Sequence, residues 1–135
     1  MLVKNNLPGE KCDIIYLPEN IIETETIILT SIDLNGKPRS RPLPISKIID
    51  NEIIWLFSNE FSGKKNEISE NPLVCLSYSN PSSQLFLSIM GQAFINDSPQ
   101  KMFSLWQPSL INWFPKSLDT PNLSLLKIII EEIHW

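Results

Sequence analysis

The sequence predicts a mainly β protein, a small antiparallel barrel of six strands with two short helices. Two observations lead there. Short segments rich in Ile, Val, Thr and aromatic residues recur along the chain, separated by tight-turn signals. Strands and helices do not alternate, so a doubly wound parallel sheet is excluded. At 135 residues the chain suffices for one domain with a single core. It reads as one unit over residues 1–135, with 1–25 as a lead-in and 26–131 as the barrel. No internal repeat, low-complexity tract or linker interrupts it.

The elements follow in order. The lead-in "EKCDIIYLPENIIETET" is interrupted by Pro18 and is only weakly helical. "TIILTSID" (26–33) has the β-branched content of a strand, and Asn35-Gly36 after it is a hairpin signal. "PRSRPLPISKII" (38–49) is the return strand; Pro38, Pro42 and Pro44 cannot donate to a ladder, so part of it should be an edge or bulged. A turn at Asp50-Asn51 leads to a third strand, "EIIWLFS" (52–58). A short helix is expected to start at Ser62-Gly63 and to stop before Asn71-Pro72. "LVCLSYS" (73–79) is almost continuously apolar and should be buried on both faces, with Cys75 as a small buried hydrophobe. "NPSS" (80–83) turns into a long fifth strand (84–97), in which Gly91 marks a bend or bulge. Ser98 as N-cap and Pro99 at the first position open a helix over 98–107. An aromatic loop (108–121) and a sixth strand, "NLSLLKIII" (122–130), complete the pattern.

Composition excludes several functions. With 15 acidic and 11 basic residues the net charge is −4, which argues against a nucleic-acid binder. No apolar run approaches the roughly 20 residues that span a bilayer, and "MLVKNNLPGEKC" lacks the apolar stretch of a signal peptide. Cys12 and Cys75 make no disulfide framework, so a cytoplasmic, reduced protein is expected. The single histidine, His134, is near the end of the chain, where exposure is the ordinary outcome. No Cys/His spacing suits a metal, and no nucleophile elbow or phosphate-cradling glycine loop is present. An enzyme so poor in acid-base groups would take its chemistry from a cofactor.

Two cationic features remain. Lys64 and Lys65 fall in the first turn of the helix expected after Ser62-Gly63, the end that disfavours cations unless an anion sits there. Two solvated lysines would explain them equally simply. "KPRSRP" places Arg39 and Arg41 two apart on a strand, hence on one face: either half of an anion site or a solvated surface.

The order of motifs is distinctive. "NGKPRSRPL", "IIWLFSNEFSGKKNEISENPLVCLSYS", "MGQA", "LWQP" and "WFPKSLDTPNLSLLKI" together resemble the general stress protein 26 group of the pyridoxamine 5'-phosphate oxidase-like flavoproteins, from about Thr26 to Lys127. The resemblance implies a six-stranded antiparallel split β-barrel of the FMN-binding type. It also implies a homodimer with flavin, FMN or else FAD, in the groove between subunits. Carried over by position, Arg39, Ser40, Arg41, Pro42 and Leu43 would lie along the ribityl-phosphate and one edge of the isoalloxazine. Phe57 and Ser58 match an aromatic-hydroxyl pair, and Ser62 and Lys64 match a phosphate-binding S-x-K. Trp113 and Phe114 match an aromatic loop that can reach the partner's flavin. Without the resemblance, Trp106, Trp113 and Phe114 read as core or interface. An apolar loop from Leu105 to Phe114, including Leu110 and Ile111, itself favours a dimer.

The sequence departs from the true oxidase at Gly63, where an Arg is usual, and at Pro44, where a Lys is usual. The oxidase's C-terminal extension has no counterpart before Trp135. These departures argue against pyridoxamine phosphate oxidation and for weaker flavin binding. Two functions stay open: a flavin-dependent oxidoreductase acting on an unidentified small molecule, and a non-catalytic flavin-binding or ligand-sensing stress protein.

Overall fold

Residues 2–4, 26–50, 52–63 and 65–134 are described by a computed structural model. Residues 5–25 of the lead-in, with Cys12, and Asn51, Lys64 and Trp135 lie outside the described residues. Seven strands are β1 (Leu2–Lys4), β2 (Thr26–Ile32), β3 (Pro38–Ile49), β4 (Ile53–Ser58), β5 (Leu73–Asn80), β6 (Leu85–Asn96) and β7 (Ser124–His134). The described residues also form two α-helices, α1 (Glu67–Glu70) and α2 (Pro99–Leu105), and short 3-10 turns.

The last six strands form an antiparallel sheet in the order β7-β4-β3-β2-β5-β6. β6 also pairs with β7, which closes the sheet into a barrel. β1 adds in parallel to β7, opposite Glu132 to His134 and beyond the stretch that β4 covers. Alternation along the strands then sorts the side chains. Ile27, Leu29, Ile45, Leu56, Leu76 and Ile128 are among those that fill the interior. A second apolar cluster lies on the opposite face of β4, where Trp55 and Phe57 meet Leu105, Leu110, Phe114 and Leu125.

Local chemistry sets the turns. Asp33 Oδ1 accepts from the backbone N–H groups of Asn35 and Lys37, and Gly36 sits at φ +78°, where glycine is favoured. The three prolines of β3 occupy positions of one parity. β2 pairs along Pro38–Pro44, whereas β4 begins only at Ile45, so the prolines can face the side without a ladder. A bulge follows at once, between Ile45 and Lys47. Its extra residue, Ser46, is buried; its hydroxyl donates to the Leu105 carbonyl, and its carbonyl accepts from Gln107 Nε2 at 3.2 Å. The irregularity in β3 thus fastens the end of α2 to the wall. Lys101 and Lys127 add to this contact, their ammonium groups 4.9 and 5.9 Å from the Trp55 ring centroid. Gly91 marks a register shift between β6 and β7, and a Cβ there would lie 2.3 Å from the Ile129 carbonyl oxygen.

Four readings need correction. β5 is buried on one face only: Val74, Leu76 and Tyr78 are buried while Leu73, Ser77 and Ser79 are exposed, because a barrel wall has an outer side. Cys75 is accordingly half-buried, with Sγ 3.5 Å from Ser88 Oγ. The last strand starts at Ser124 and continues to His134: Glu131 is the extra residue at the register shift opposite Met90 and Gly91, and it moves the inward position from Ile128 and Ile130 to Ile133, which is buried. α2 stops at Leu105: Gln107 precedes Pro108 and adopts an extended backbone.

Candidate functional site

Arg39 and Arg41 share the parity of the core residues Leu43 and Ile45, and they lie on β3 beyond the last residue that β4 pairs. The chain leaving β4 brings Glu60 and Phe61 across this gap, and α1 brings Glu67. Arg41 is only 8% exposed, with Cζ 5.2 Å from the centroid of the Phe61 ring. Its Nη1 donates to Ser31 Oγ at 2.9 Å and the Leu29 carbonyl at 3.3 Å, and its Nη2 donates to Glu67 Oε2 at 3.0 Å. Arg41 Nε lies 3.3 Å from Glu60 Oε2, an ion pair too poorly aligned to be a hydrogen bond, so this buried N–H has no hydrogen-bond acceptor among the described residues. Arg39 donates from Nε to Glu67 Oε1 at 2.8 Å and from Nη1 to Glu60 Oε1 at 3.2 Å. Ser31 Oγ donates to Glu67 Oε2 at 2.6 Å.

Two guanidinium groups and two carboxylates therefore form one network. Its electrostatics follow from burial and proximity. Burial lowers the Arg41 pKa, and the Arg39 charge lowers it further, against the pull of both glutamates. The hydrogen bond to Glu67 raises that of Arg39. Burial pushes Glu67 up, but the hydrogen bonds from Ser31 and Arg39, with both arginine charges, outweigh it and hold Glu67 below its ordinary value.

α1 starts later than the sequence reading placed it. Its N-cap is Asn66, whose Oδ1 accepts from the N–H groups of Ile68 and Ser69, while the Ser69 hydroxyl accepts from the Asn66 N–H. Asn66 Nδ2 also donates to the carbonyls of Phe61 and Gly63. Ser62-Gly63 therefore precede the helix by several residues, and Gly63 sits in the left-handed region at φ +92°. Glu67 and Glu70, not the lysines, occupy the first turn, where acidic residues belong. The charge-dipole reason for expecting an anion at Lys64 and Lys65 falls away, since the cap already binds the first N–H groups.

The expected site residues do not gather in one place. Arg39 and Ser62 line one cavity of about 380 Å³, together with Asp33, Glu60, Lys65 and Glu67. Ser40 and Pro42 are exposed on the other side of β3 from Arg39 and Arg41, and the Ser40 and Thr30 hydroxyls are 2.7 Å apart. Leu43 belongs to the barrel core. Phe57 and Ser58 are fully buried, and Ser58 Oγ accepts from the Glu60 N–H at 3.2 Å, which fixes the departure of the chain from β4. The Phe57 ring stands edge-on to Trp106 at 5.3 Å, and Trp106 lies 6.4 Å from Phe114. Phe114 is buried in this outer cluster, whereas Trp113 is 38% exposed. Of the loop residues expected to offer an apolar surface, Leu105, Leu110 and Phe114 are buried within the chain itself, and only Ile111 and Trp113 are exposed.

Glu60 and Glu67 were absent from the sequence reading. Asn66 followed three residues later by Ser69 is a capping pattern that would have placed Glu67 at the helix start.

A flavin phosphate fits this end of the barrel only in part. The residue types are right, yet the donors of the arginine pair are largely taken by Glu60 and Glu67. Among the described residues, the charged side chains around the cavity are two cations, Arg39 and Lys65, and three carboxylates, Asp33, Glu60 and Glu67. No helix among the described residues is long and apolar enough to cross a membrane.

The comparisons with known proteins agree with this fold. A family model described as "Pyridoxamine 5'-phosphate oxidase like" matches residues 13–135. General stress protein 26 of Bacillus subtilis (strain 168) is 32% identical over 102 residues, which cover 73% of this chain and 71% of that protein. A protein of Clostridium acetobutylicum related to general stress protein 26 superposes with a TM-score of 0.69 at 19% identity, over 78% of this chain and 75% of that one. The general stress FMN/FAD binding protein of Xanthomonas citri superposes with a TM-score of 0.62 at 24% identity, over 82% of this chain and 78% of that one.

Proposed function

Because this chain belongs to the pyridoxamine 5'-phosphate oxidase-like family, we propose that it binds a flavin, FMN or else FAD, and serves as a flavin-dependent oxidoreductase in a stress response. The observation that carries the reading is the family match across residues 13–135. The flavin would supply the redox chemistry when bound. In this reading the cofactor lies in a groove between two copies of the chain, in the cytoplasm.

This chain's residues then have distinct tasks. Arg39, Ser62 and the exposed Lys65, which line one cavity, would offer donors to the phosphate, and Lys64 would add a fourth by its match to the S-x-K pattern. Ser40 and Pro42 present polar and rigid outer surface to the ribityl chain. Leu43, Phe57 and Ser58 are interior, so they shape the wall rather than touch the ligand directly. Trp113 is free to cover the partner's flavin, with Phe114 as its buried anchor. Arg41 commits Nη1 and Nη2 to Ser31, Leu29 and Glu67 and so holds the mouth of the barrel in shape, which leaves its Nε as the one donor without an aligned acceptor.

The visible spectrum of the purified protein, with FMN and FAD added where needed, tests the reading. A yellow protein bleached by NAD(P)H is the expected result. A yellow protein inert to reductants would make it a non-catalytic flavin binder, and a colourless one that refuses both flavins would overturn flavin binding.

A further inference from the structure

Glu60 differs from Glu67 in how it is held. Glu67 is anchored three ways, by Ser31, Arg39 and Arg41, and it starts a capped helix. Among the described residues, the Glu60 carboxylate pairs only with the two arginines, through Arg39 Nη1 at 3.2 Å and Arg41 Nε at 3.3 Å. Its side chain is 33% exposed and its backbone lies in the short connection after β4. The second contact leaves the buried Arg41 N–H without an aligned acceptor. The weaker of two carboxylates thus occupies one side of a guanidinium pair, in a cavity that Arg39, Ser62 and Lys65 also line.

We propose, resting on the flavin reading above, that Glu60 is a specificity-determining residue: a built-in carboxylate that holds the place of a phosphate monoester on Arg39 and Arg41 and must swing out when one binds. A phosphate monoester brings three terminal acceptor oxygens where the misaligned carboxylate brings two, so one of them would be available to the orphaned N–H. The exchange costs the chain its own ion pairs, so the gain from a phosphate is the difference between the two anions. Glu60 therefore sets how strongly the site prefers a phosphorylated ligand over the same ligand without phosphate.

The test compares FMN with riboflavin, which lacks the phosphate, on wild type, Glu60→Gln and Glu60→Ala. Both substitutions remove the competing charge from an exposed connection, and Glu67 still neutralises Arg41. The FMN dissociation constant should fall about tenfold, the gain from one charge-assisted hydrogen bond, while that of riboflavin stays within about twofold. An unchanged or weaker FMN affinity in both variants would overturn the proposal. If no form binds riboflavin or FMN, the flavin reading fails separately. Thermal melts with inorganic pyrophosphate then decide: a larger rise in melting temperature in the variants than in wild type supports the exchange, and equal rises reject it.

Discussion

Glu67 is held below the ordinary carboxylate range by hydrogen bonds and cations, although burial alone would push it up. A depressed carboxylate stabilises the fold above its unfolded pKa, and that contribution is lost as pH falls through the lower folded value. Wild type should therefore lose stability on acidification below about pH 4.5, the ordinary value for this group. In Glu67→Gln the stability-pH slope in that window should flatten, at the cost of lower stability at neutral pH, because Arg41 keeps a buried charge with one partner fewer. Denaturant midpoints measured across pH for both proteins check this. The aromatic pair of the loop separates by the same logic of burial. Trp113→Ala, at a 38% exposed position, should change the stability of the flavin-free protein by no more than about 0.5 kcal/mol while weakening flavin binding. Phe114→Ala, at a 5% exposed one, should cost about 3–5 kcal/mol. Melts of the flavin-free protein beside a flavin titration read both. Lys64→Ala should raise the FMN dissociation constant roughly tenfold and leave riboflavin binding unchanged, since only the phosphate is at stake. Equal losses for the two ligands in paired titrations would remove Lys64 from the phosphate site.

α1 has four residues, too few to be stable on its own, so its cap and its contacts hold it in place. Asn66→Ala removes two acceptor bonds at the helix start and two donor bonds to the preceding loop. The expected loss is about 1–2 kcal/mol, with a weakened arginine network because Glu67 is the next residue; chemical denaturation measures the first and the pH-stability slope the second. Local chemistry made several elements readable from sequence: Asn35-Gly36 named its hairpin, Ser98-Pro99 named the start of α2, and Gly91 named the place where the register between β6 and β7 shifts. The start of α1 was misread because Ser62-Gly63 mimics a cap while the true cap, Asn66, lies just beyond two lysines that drew attention to charge. The pairing of Arg41 with Glu67, 26 residues apart, depends on how the barrel folds back on itself, and no local pattern records it. β5 was misread for a related reason. An apolar run shows that a strand is apolar, but not whether a second layer covers it.

At the scale of the molecule, the six-strand antiparallel barrel was legible from the turns and the absence of crossovers. Which strands close it was not, because the pairing of β6 with β7 is a long-range register fact. The described residues also leave apolar side chains outside: Phe103, Ile111 and Trp113 are exposed around the loop that follows β6. A two-fold dimer that buries this patch is the expected assembly, although the patch is smaller than the sequence suggested. Light scattering at micromolar concentration should give twice the 15.5 kDa chain mass, and a single-chain mass would refute the dimer. The position of β7 has a consequence for how the chain reaches this state. Its ladder to β4 joins Ile53 to Ile129, so it cannot zip from a neighbouring turn. Loop closure over such a distance must precede any gain from pairing, which makes it late and slow. Until β7 arrives, β4 and β6 each present an open edge, and open edges are where separate chains pair with one another. Refolding yield should accordingly fall as protein concentration rises, and the losses should be set during the interval before the barrel shuts.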